Sequence, residues 1–147
     1  MTLASLVLRR RFVLLKDVLD RALAIVGLVL LLPILAGFAL AIKLSSPGPV
    51  FFVQKRVGKD GKIFGIIKLR TMVMDAEQAT GPVWAQENDP RITPVGRFLR
   101  ASHFDEVPQL LNVIKGEMSI VGPRPERPVF VDQFRHQIVN YDARHMV

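Results

Sequence analysis

Between Arg21 and Lys43 lie twenty-one residues, ALAIVGLVLLLPILAGFALAI, without a charged or strongly polar side chain. At 1.5 Å rise per residue such a helix is roughly 30 Å long, the thickness of a bilayer's hydrocarbon core. Membrane insertion is the expectation. A cleavable signal peptide is the competing account, since Arg9-Arg10-Arg11 resembles a basic leader and Ala39-Leu40-Ala41 a cleavage site. The apolar run is too long for the usual ~7 to 15 residue signal core, and a buried soluble helix fits it less well still.

Pro33 falls near the middle of the run, where it removes a backbone hydrogen bond and bends a helix. Arg9, Arg10, Arg11, Lys16 and Arg21 precede the run, and Lys43, Lys55, Arg56, Lys59 and Lys62 follow it. Five cations on each side tie the positive-inside rule. A spanning helix normally breaks such a tie, whereas a re-entrant helix-break-helix that enters and leaves by the cytoplasmic face satisfies both flanks.

After Ser45-Ser46-Pro47-Gly48-Pro49 come two β-rich runs, VFFVQKRV and KIFGIIKLRTM, around Asp60-Gly61, which reads as a β-hairpin. From Lys43 to Arg70 there are seven cations and one acid, Asp60, within a chain of net charge +7. Directly after a membrane segment, this charge predicts attraction to anionic lipids, at about 1 kcal/mol per cation near the surface. Lys68 and Arg70 are candidate phosphate-binding residues, with a solvated or lipid-facing charge as the plainer account of either. Met72 to Gln78 reads as a short helix and 79–94 as loop, with Trp84 an interfacial anchor or a core residue. VGRFLRASHF has the pattern of an amphipathic basic helix, lying on a membrane surface or packed on the domain's own core.

In FDEVPQLLNVIKGEMSIVGPRPE, Asp105 and Glu106 stand before Val107-Pro108, and apolar spacing from Gln109 to Ile114 stops at Lys115-Gly116. Pro108 is tolerated only in a first turn, so the helix begins close to Asp105. The acidic pair therefore sits at the positive end of a helix dipole, which favours carboxylates and phosphate oxygens alike. Taken alone, the pair is better explained as a purely structural cap, and GPRPE alone reads as a rigid linker. With no cysteine, disulfides and thiolate chemistry are excluded. His103, His136 and His145 lack zinc-site spacing. A helix-turn-helix DNA binder is the basic-protein rival, but 107–114 carries too few polar side chains to read base edges, so no nucleic-acid partner is expected.

Taken in order, Lys16 to Asp20 before the proline-broken run, SSPGPVFF, KRVGKDGKIF, IIKLRTM, RITPVGRFLR, FDEVPQLLNVIKGEMS and IVGPRPE resemble the bacterial sugar transferases, the monotopic polyprenyl-phosphate phosphoglycosyl transferases. The resemblance covers nearly the whole chain after about residue 16. It implies transfer of a phosphosugar from a UDP-sugar to polyprenyl (undecaprenyl) phosphate, releasing UMP and starting a surface glycan such as an exopolysaccharide. It further implies Asp105 as nucleophile through a covalent aspartyl phosphosugar, Glu106 assisting with Mg²⁺ or the acceptor's proton, and Asp105 and Glu106 as the metal-binding pair. Arg100 and Arg124 would hold phosphate oxygens. His103-Phe104 depart from the small hydroxyl residue and Leu common in the family, and the chain stops at YDARHMV where relatives usually continue. A non-catalytic membrane anchor or scaffold is the rival from another class.

The expected architecture is α+β, mostly α: a membrane-embedded re-entrant helix-break-helix with interfacial helices and a small β-hairpin. Its expected parts are a basic leader over 1–15, the membrane helix over 16–44, and over 45–147 a catalytic domain facing the cytosol of a bacterium, at its inner membrane, with its C-terminal part missing.

Overall fold

The computed structural model describes residues 3–78, 81, 83, 86 and 89–146, the side chains of 3–10 and 146 excepted. Trp84, expected as anchor or core, lies outside the described residues. The first element, α1 (Leu3–Ser45), is 43 residues long and carries Pro33 within it. At 1.5 Å per residue it extends for about 65 Å. Where a helix-break-helix was expected, the backbone stays helical through Pro33. A proline costs a helix one hydrogen bond, here to the carbonyl four residues back, which a bend can absorb without ending the helix.

Within the apolar run only Ala24, Leu35 and Ile42 are buried, while side chains such as Leu30, 70% exposed, face outward. The core helix of a soluble protein shows the reverse, so this surface is matched to lipid and the chain is membrane-associated.

Two compact units share the chain, and α1 contributes to both: Met1–Val29, Gln54–Ile66 and Gln109–Val147 form one, Leu30–Val53 and Ile67–Pro108 the other. The division within α1 falls between Val29 and Leu30, at the carbonyl that Pro33 leaves without its helical donor.

Strands β1 (Phe51–Val57) and β2 (Ile63–Leu69) form a two-stranded antiparallel sheet. The turn at Lys59–Gly61 is the expected one. Asp60 and Gly61 both take positive φ, 55° and 73°, which Asp and Gly tolerate better than other residues.

In the first unit the core is apolar and built from Val57, Ile66, Val113, Phe130 and Val131. Its buried amide, Asn112, donates from Nδ2 to the Gly65 carbonyl at 2.8 Å and to Glu117 at 2.7 Å, which ties helix α3 (Leu110–Lys115) to β2. Gly116 ends α3 with φ 78°, the expected glycine stop. Lys16 and Ser119 both hydrogen-bond Asp20, at 2.7 and 2.5 Å, so α1 is fastened to the segment after α3. Helix α4 (Pro128–Gln137), begun by a proline at its first position, buries Phe130 and Val131. A 3₁₀ turn follows at Tyr141–Met146.

In the second unit, helix α2 (Pro94–Ser102) buries Gly96 and Leu99, while Arg97 and Phe98 face outward. Thr93 caps it by accepting from the Gly96 amide at 2.9 Å. Met72 to Gln78, expected as helix, contains instead a bridge from Met72 to Ile92 and a turn over 74–78. Asp75 has φ 57°, which no right-handed helix accommodates.

Candidate active site

The acidic pair lies in a 3₁₀ turn, Phe104–Gln109, joined to α2 by His103, whose φ of 60° ends that helix. Its amide donates to the Arg100 carbonyl and its own carbonyl accepts from the Glu106 amide, at 3.3 and 3.1 Å. Pro108 sits inside this turn, so the expected start near Asp105 is met by a tighter helix than α.

Asp105 is 7% exposed. Burial pushes its carboxyl above the usual carboxylate range, and the negative charge of Glu106 adds to this, while Lys68 and Arg100 pull the other way. Glu106 is ion-paired to Lys68 Nζ at 3.1 Å, both side chains partly buried. Lys68 reaches it from β2. Arg100 comes from the last turn of α2, where its Nε donates to the Thr71 hydroxyl at 2.9 Å. Four of the expected residues, Asp105, Glu106, Lys68 and Arg100, thus share one electrostatic neighbourhood within one unit. Thr71 had no signal in the sequence; it orients Arg100 because the chain after β2 runs beside α2.

Arg70 is also in this unit, but it is buried and differently engaged. Its Nη1 donates to the Pro47 carbonyl at 2.7 Å, and its Nη2 to the Ser46 carbonyl and hydroxyl, each at 2.9 Å. The guanidinium therefore clamps the chain leaving α1.

Arg124 belongs to the other unit. Its carbonyl accepts from Arg144 Nη2 at 2.7 Å, and the next two residues are held by Arg56, which donates to the Pro125 carbonyl at 3.1 Å and to Glu126 at 2.8 Å. Prolines on both sides and these bonds restrict the backbone that carries the Arg124 guanidinium.

As the nucleophile that the resemblance implies, Asp105 would have to be ionised, so turnover is expected to climb as pH rises through its raised pKa. Lys68→Met removes the largest influence holding that pKa down. The acid limb of the pH–rate profile is expected to move to higher pH, and a limb that stays in place or moves down would contradict this electrostatic assignment.

A family model described as Bacterial sugar transferase matches residues 11–147. A Bacillus subtilis protein named for undecaprenyl-phosphate N-acetylgalactosaminyl 1-phosphate transfer is 49% identical over 91% of this chain and 74% of the relative. The UDP-N-acetylgalactosamine-undecaprenyl-phosphate N-acetylgalactosaminephosphotransferase of Aeromonas hydrophila is 44% identical over 99% of this chain and 34% of its own length. The UDP-glucose:undecaprenyl-phosphate glucose-1-phosphate transferase of Escherichia coli K12 is 49% identical over 91% of this chain and 29% of its own length. The chain thus spans about a third of the latter two.

Proposed function

This chain belongs to the bacterial sugar transferase family, and from that premise we propose that it moves a phosphosugar from a UDP-sugar to polyprenyl (undecaprenyl) phosphate, releasing UMP, as the first membrane step of an exopolysaccharide or other surface glycan. The observation that carries the reading is the buried carboxylate of Asp105, with a cation on β2 and another on α2 acting on it.

An Asp105 carboxylate oxygen attacks the β-phosphorus of the UDP-sugar. The bond from that phosphorus to the bridging oxygen breaks, and UMP leaves with the electron pair. A phosphate oxygen of polyprenyl phosphate then attacks the same phosphorus and expels the Asp105 carboxylate, giving the polyprenyl diphosphosugar. One difficult transfer becomes two easier ones. Lys68 and Arg100 offset the charge spread over the phosphate oxygens. Arg124, in the other unit, carries a planar guanidinium of the kind that holds a phosphate by two oxygens. Arg70 acts at one remove, holding the exit of α1 from a position just past the end of β2, two residues after Lys68.

Among the described residues no three His, Cys, Asp or Glu side chains gather as a metal site. Two adjacent carboxylates fit Mg²⁺, which keeps several waters and completes its shell with substrate phosphates. Asp105 and Glu106 would hold it, and bound Mg²⁺ supplies further neutralisation of the pyrophosphate.

The reading also places α1 in the inner membrane as a re-entrant helix, with both flanks and the catalytic unit on the cytosolic side. Equal cationic flanks support it, and both would meet anionic lipids there. A cysteine placed at Thr2 and one placed at Lys59 are then labelled from the same, cytosolic side; labelling of the first only from the periplasm would refute the topology. The reaction itself is tested by incubating membranes with labelled UDP-sugars and undecaprenyl phosphate, where UMP release is expected, and none with any sugar from a folded chain would overturn the assignment.

A further inference from the structure

Three phenylalanines from three different elements meet beside Asp105. Phe38 lies in the apolar stretch of α1, Phe98 on the outward face of α2, and Phe104 immediately before Asp105. The Phe38 ring centroid is 5.2 Å from that of Phe104 and 6.0 Å from that of Phe98, the rings tilted by 47° and 44°. All three belong to the unit that holds Lys68, Arg100 and the acidic pair. Phe98 is 59% exposed although Gly96 and Leu99 of the same helix are buried, so one of its faces stays open beside the cluster.

Helix packing alone does not require an exposed aromatic ring at that position. The arrangement matches an amphiphile that joins an anionic head to an unsaturated apolar tail: cations act on the Asp105 carboxylate, and aromatic rings run from the residue next to it to the membrane helix. An isoprene unit carries a π-bond that a saturated chain lacks, and aromatic rings take other π-systems in offset or edge-on contact.

We propose that Phe38, Phe98 and Phe104 form the subsite for the first isoprene units of polyprenyl phosphate and set its phosphate against the phosphorus carried by Asp105. The inference rests on the reaction proposed above, in which UMP release from the UDP-sugar precedes the lipid's arrival.

The test measures KM separately for undecaprenyl phosphate, for its fully saturated analogue of the same length, and for UDP-sugar, in the full chain held in nanodiscs. Phe98→Ala is expected to raise KM for undecaprenyl phosphate about tenfold, as for a truncated aromatic anchor, and to leave KM for UDP-sugar within about twofold. Phe98→Tyr, which keeps the ring, restores the wild-type value, and Phe38→Leu repeats the split. The preference for the unsaturated lipid shrinks in Phe98→Ala. If both KM values move together, or if Tyr fails like Ala, the ring only braces α2 and the subsite is refuted. Equal losses for saturated and unsaturated lipid would show general membrane contact and refute it too. A wild-type chain that forms no UMP overturns the reaction and this subsite with it, whereas normal UMP formation with an unchanged lipid KM overturns the subsite alone.

Discussion

Asp105→Asn is expected to lower UMP release at least about 10³-fold, because a neutral amide in place of the carboxylate removes the anionic oxygen proposed to bond to phosphorus. The fold is expected to survive. Asp105 has its pKa raised above the usual value of 3.8 by burial. Its protonated form is therefore the one the folded chain favours, so this group's contribution to stability is fully present below the usual value and is lost as pH rises through the raised one. At neutral pH the carboxylate costs stability, and asparagine removes that cost while keeping nearly the same shape. The variant should unfold no earlier than wild type at pH 7 and lose its turnover all the same. Thermal unfolding measured beside UMP release separates the two effects. A variant that unfolds much earlier would point to a structural role for Asp105, and one that keeps turnover would remove it from the chemistry.

Gly96→Ala has the largest expected effect on the fold. A Cβ at Gly96 would lie well inside van der Waals contact of the Thr71 carbonyl, 2.6 Å from its carbon. The neighbour is backbone and is tied in place. Thr71 accepts from the Thr93 amide at 3.0 Å, and its hydroxyl accepts from Arg100. Relief therefore requires α2 to lift from the chain after β2, at about 3 kcal/mol, the upper end of ordinary overpacking costs. For a chain of this size that lowers the unfolding midpoint by roughly 10 °C. It should also weaken turnover, since α2 carries Arg100. Gly37→Ala is the control, for its Cβ meets nothing within 4 Å. The same change there is neutral or slightly stabilising, because alanine is the better helix former. Equal losses at both positions would show that the close approach at Gly96 carries no strain.

Much of the site was legible from local chemistry. The Asp60-Gly61 turn, the Gly116 stop, and the basic helix before the acidic pair follow from residue types whose backbone preferences are strong enough to survive folding. Lys68 was readable as a candidate cation and Arg100 gained its role only from the resemblance, and the structure brings both to bear on Asp105. What the sequence could not show depends on which segments meet. Arg70 looks like Lys68 on paper, two residues on in the same β-rich run, yet it lies past the end of β2 and is folded inward against Ser46 and Pro47. Gly96 reads as a weak point in a helix, and only its neighbour Thr71 explains why no side chain fits there. Phe38, Phe98 and Phe104 are spaced too far apart in the chain for any periodicity to join them. Met72 to Gln78 has helical composition, but the pairing of Met72 with Ile92 draws the backbone into a bridge and turn.

In the proposed reaction Asp105 carries the phosphosugar between donor and acceptor. Incubating the purified chain with radiolabelled UDP-sugar and no polyprenyl phosphate, then mapping peptides by mass spectrometry, tests it most directly. One equivalent of UMP is expected, with a phosphosugar adduct on the peptide containing Asp105, absent in Asp105→Asn and discharged when undecaprenyl phosphate is added. UMP release that appears only when undecaprenyl phosphate is present, with no adduct on any peptide, would contradict it.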